Sequence, residues 1–177
     1  MIDADALHSA AKSGLAKAWQ DRWEAHGHET IYGFGFSTNS AQYVLPQSFT
    51  EDGLTEAVAS SGLRRSELRW SPGDSPRMLV GEQRLAETSA IVEAAYNDEL
   101  MESEADDAED LWMETVYGVL VSVLRELASE GLFSGAPDPV LNIWGVEMGP
   151  DGERYYAGLV NPPDVAQRFA AELANGS

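Results

Sequence analysis

"ETIYGFGFSTNSAQYVLPQSFT", residues 29–50, is the stretch from which the fold is read. Its first part alternates, with Tyr32, Phe34 and Phe36 on one face and Ile31, Gly33 and Gly35 on the other, the period of a strand. "STNS" has turn chemistry and "AQYVLP" is a second run of strand formers, so a hairpin is expected over 30–46. The glycine face of the first strand is small enough for a helix to approach closely.

Upstream, residues 4–26 carry Leu7, Ala11, Leu15, Ala18, Trp19 and Trp23 at helical spacing, and Gly27 fits a left-handed stop. Downstream, Thr50 followed by Gly53 reads as a cap opening a short helix that ends near Gly62. "LRRSELRWSPGDSP" turns irregular where Ser-Pro and Pro-Gly block regular structure. A helix is expected over 81–97 and a stronger one over 104–131. In the second, Trp112, Val116, Val119, Leu120, Val123 and Leu127 share a face. "VLNIWGVEM" and "ERYYAGLV" read as strands joined by "GPDG", a tight-turn sequence. "NPPDVAQRFAAEL" is a last helix, with Asn161 as its cap and Val165, Phe169 and Leu173 on one side. Two hairpins interrupted by helices predict an α+β fold: an antiparallel sheet of two β-hairpins covered by amphipathic helices. A single domain over 1–177 is expected from a chain of 177 residues.

The formal charge is −19, with thirty Asp and Glu against eleven Lys and Arg. That field disfavours nucleic acid and anionic membrane as partners. Residues 96–130 hold eleven acids and one base, just over half of the excess. With no Cys, thiol nucleophiles, disulfides and zinc–thiolate sites are ruled out. The first residues carry acids where a signal peptide needs bases, and no stretch approaches the ~20 apolar residues of a membrane span. A cytoplasmic protein is expected.

The acidic run "MESEADDAED", residues 101–110, admits three readings. A calcium loop needs a central Gly and ligands at fixed spacing, and neither is present, so no metal is expected. A helix start explains part of it: Ser103 with Asp106 resembles a capping box, and Glu104, Asp106 and Asp107 complement the helix dipole. Glu99, Glu102, Glu109 and Asp110 exceed what a cap requires, and they are the candidate partner-binding residues for a basic protein. His26 and His28 with Glu29 form a weak cation-friendly cluster at a helix end. "YGFGFS" lacks the third Gly and helix start of a phosphate loop, so no nucleotide cofactor is expected. Arg64, Arg65, Arg69 and Arg77 beside Trp70 form the one basic island, for which pairing with nearby acids is the plainer reading over anion binding.

"ETIYGFGFSTNSAQYVLP", "LRWSP" and "GLVNPPDVAQRF", in that order, resemble a bacterial domain family of unknown function catalogued as number 4303. Arg69-Trp70-Ser71-Pro72 and Asn161-Pro162-Pro163 are the most distinctive elements. "SPGDSP" departs from the family's acidic-Trp continuation after Ser-Pro. The resemblance implies a single bacterial domain and supplies no catalytic residue. The expected function is a non-enzymatic acidic interaction module of immunity or adaptor type. The alternative is a small hydrolase or ligand-binding enzyme using carboxylates near the Trp70 loop or His26 and His28.

Overall fold

A computed structural model describes residues 2–99, 108–145 and 148–176 of the chain. The order is α1 (Ala4–His26), β1 (Ile31–Thr38), β2 (Val44–Thr50), α2 (Glu51–Ser61), α3 (Arg65–Leu68), α4 (Ala86–Glu99), α5 (Ala108–Ser129), β3 (Val140–Gly145), α6 (Gly149–Val160) and α7 (Pro163–Gly176). The α+β class holds, but the sheet is mixed: in the order β2-β1-β3, β1 pairs antiparallel with β2 and parallel with β3.

The first hairpin forms, and β2 runs on to Thr50, four residues past the expected end. Ser40 and Ala41 adopt positive φ in its turn, and the Ala41 carbonyl accepts from the Trp112 indole at 3.2 Å, fastening the turn to α5. Pro46 is tolerated because β2 is an edge strand. The expected alternation in β1 breaks at Ile31/Gly33, where the register with β2 shifts. That irregularity sends Tyr32 to one side of the sheet while Phe34 and Phe36 face the other. Both faces of β1 are therefore buried.

The second expected hairpin is absent: "ERYYAGLV" lies in α6. Pro150 in the first turn has the fixed φ that starts a helix, and Tyr156, Ala157 and Val160 fall on one helical side. Asn161 ends α6 instead of opening α7. Its side chain donates to the Leu141 carbonyl at 2.6 Å and accepts from the Leu141 amide at 2.8 Å, occupying the open edge of β3.

One core joins α1, α4 and α5 to Phe34, Phe36, Leu141 and Ile143; Leu120 and Val123 are fully buried within it. The second core, on the other sheet face, gathers Phe49, Leu54, Trp70, Trp144, Val165 and Phe169. Two details of α1 depart from the sequence reading. Trp23 is 40% exposed while Arg22, one residue earlier, is fully buried. Gly27 is right-handed (φ −64°), and the room there is limited by the Trp23 carbonyl and ring.

Candidate functional site

The basic island is consumed by ion pairs. Thr50 Oγ1 accepts from the Gly53 amide at 3.0 Å and starts α2, which puts Glu51 opposite α3. Glu51 takes Arg65 and Arg69, and Arg69 reaches Glu172 of α7 at 2.7 Å. Burial raises the Glu51 pKa, but the hydrogen bonds and charges of Arg69 and Arg65 together outweigh it and hold the carboxyl below its ordinary value. The Trp70 indole donates to Glu172 at 3.2 Å, and the Arg69 guanidinium lies 4.2 Å from the centre of the Tyr32 ring. Arg64 pairs with Glu67 and Arg77 with Glu29 and Glu56. "LRW" thus ties α2, α3, α7 and β1 together, and its carboxylates are committed to arginine.

The His26/His28/Glu29 cluster is likewise part of the frame. Glu29 accepts from buried Arg22 at 3.1 Å, from Thr50 at 2.7 Å and from Arg77 at 3.1 Å, with His26 Nδ1 at 3.2 Å. Burial pushes its carboxyl up, yet the Arg77 and Thr50 hydrogen bonds and the two guanidinium charges bring it to about 2. His28 is exposed.

Of the candidate partner-binding acids, Glu109 and Asp110 stand exposed in the first turn of α5. Leu111, which follows them, is 64% exposed. Glu99 is the final residue of α4. Glu102, with Ser103, Glu104, Asp106 and Asp107 of the expected cap, lies outside the described residues. Among the described residues no three His, Asp or Glu are grouped to hold a metal.

Sequence reading missed Glu153. It lies on α6 and lines a cavity of about 290 Å³ with Ser37, Pro72, Gly73, Trp144 and the start of α6. Burial alone raises its carboxyl to about 7. Its segment reads as a strand of "ERYYAGLV", so nothing in the spacing points inward.

A family model described as Domain of unknown function (DUF4303) matches residues 8–154. The chain belongs to that family. The match in this DUF4303 chain runs from α1 into α6, and so includes Arg69-Trp70-Ser71-Pro72 and Glu153; Asn161-Pro162-Pro163 lies beyond it. No curated protein and no solved structure matches the chain. No helix among the described residues is long and apolar enough to cross a membrane.

Proposed function

We propose that this DUF4303 chain is a non-enzymatic interaction module, of adaptor or immunity type, that meets a basic protein in the cytoplasm. One observation carries the reading: the fold spends its cations internally. The four arginines of the basic island, with Lys12, Arg22, Arg84 and Arg154, all sit in ion pairs. Thirty carboxylates against eleven cations then leave the negative surplus outside. Glu109 and Asp110 beside exposed Leu111 combine charge for steering with apolar area for contact. The carboxylates that a hydrolase near Trp70 or His26 would draw on, Glu51, Glu172 and Glu29, are instead bound to arginine.

The test is capture from the native host at low and at high salt, using the wild type and the double variant Glu109→Gln/Asp110→Asn. The reading expects a basic protein retained at low salt by the wild type, and several-fold less by the variant, because exposed charges are screened beyond ~10 Å at 0.1 M salt. Equal retention by both proteins at every salt concentration contradicts it.

A further inference from the structure

The cavity beside Glu153 is distinct from the acidic surface and stands on its own observations. It opens at the carboxyl ends of the parallel strands β1 and β3, at Ser37, Trp144 and Gly145. Pro72 and Gly73 line it from one element and Gly149 and Pro150 from another. The carboxyl end of parallel strands is where open sheets with helical crossovers build their ligand crevices. At about 290 Å³ the space lies at the small end of ligand pockets.

The sheet beneath it holds buried polar groups without partners among the described residues. Trp144 is fully buried, and its Nε1–H has no acceptor among the described residues. One step back along the same strands, Gln47, Gly35 and Asn142 stand opposite one another across the sheet. Both amide atoms of Gln47 and Oδ1 of Asn142, all buried, also lack partners among the described residues. Native interiors leave few such groups, and each asks for an explanation. The Asn142 amide nitrogen donates to the backbone carbonyl of Glu153 at 3.1 Å, which fixes this turn of α6 against the row.

Glu153 differs from the other sheltered carboxylates. Glu29 and Glu51 are each neutralised by arginines, whereas the neighbouring Arg154 pairs with Asp151. No cation pairs with Glu153 among the described residues, in a molecule whose whole field draws cations. A carboxylate at the wall repels anionic guests and attracts cationic ones.

We propose that this cavity binds a small cationic ligand, an amine or guanidine, with Glu153 facing the cation. The guest's positive charge replaces the arginines that Glu29 and Glu51 have.

Amide-resolved NMR titration of the full chain tests this, with agmatine, ethanolamine and L-arginine as cationic probes and propionate and glycerol as anionic and neutral counterparts. At least one cationic probe is expected to shift the Trp144 indole N–H and the Gly73 amide saturably, with a dissociation constant of roughly millimolar or tighter. Glu153→Gln, nearly the same size, is expected to weaken that binding about tenfold or more while the spectrum keeps its dispersion. Gly73→Leu provides a second route, since Gly73 lines the cavity and nothing lies within 4 Å of a Cβ there, so the larger side chain is accommodated at the cavity's edge. It is expected to abolish the shifts. Three results overturn the proposal: no saturable shift with any cationic probe, equal response to propionate or glycerol, or binding that both variants leave intact.

Discussion

Arg22 and Glu29 show how a fold keeps charge inside it. Arg22 is always ionised and fully buried, so Glu29 is required to answer it. Glu29→Gln leaves that guanidinium buried without a counter-charge and is expected to cost about 3–5 kcal/mol in denaturant unfolding at neutral pH. The carboxyl is held at about 2, below its unfolded value of 4.5, so its contribution is complete above 4.5 and fades as pH falls toward 2. The variant's unfolding free energy is therefore expected to lose less than the wild type's between those values; parallel acid limbs would contradict the assignment. Glu153 has the opposite sign. Its pKa is raised from 4.5 to about 7, so the folded state holds the proton longer and stability falls as pH rises through that window. Glu153→Gln is expected to match the wild type near pH 4. At pH 8 it is expected to be more stable by about 1–2 kcal/mol, a figure already reduced for solvent screening. Of these residues, His26, His28 and Glu29 were visible in the sequence as a cluster. Their partner Arg22 was not, because an arginine on a helix reads as a solvated side chain until tertiary packing covers it.

At the scale of elements, strong helical periodicity was legible and short apolar runs were not. Of the face of α5 expected from Trp112, Val116, Val119, Leu120, Val123 and Leu127, all are buried but Val119, which is partly buried, and Leu120→Ala is expected to cost about 2–5 kcal/mol in thermal or denaturant unfolding. A loss below ~0.5 kcal/mol would mean that the wrong face had been assigned to the core. "ERYYAGLV" misled because two tyrosines and two aliphatics suit a strand as well as a helix over eight residues; Pro150 decides for the helix. Backbone chemical shifts across 149–160 are expected to be helical throughout, and strand-like shifts over 153–160 would contradict α6. The glycines of β1 were read as room for a helix. In the fold the neighbour of Gly33 is an aromatic ring: a Cβ there would come within 2.8 Å of Trp70 and 3.0 Å of Phe49. Gly33→Val is therefore expected to destabilise by about 1–3 kcal/mol through overpacking, measured by the shift in denaturation midpoint.

For the whole molecule, composition foretold the charge, and its distribution follows from the ion pairs. Pairing of the basic island was the plainer reading from sequence, and every arginine of it is paired. The cavity beside Glu153 was illegible because it is made by β1, β3, α6 and the 72–74 turn together, which only the parallel β1–β3 pairing brings to one place. The central claim, that the outward negative surplus recognises a basic protein, concerns rates before it concerns affinity. Its most direct test is the association rate constant of the captured partner across a salt series, for the wild type and Glu109→Gln/Asp110→Asn. The account predicts that the wild-type rate falls steeply with salt and that the variant associates several-fold more slowly at low salt, the two converging at high salt. Rates that are equal for both proteins and flat with salt would contradict it.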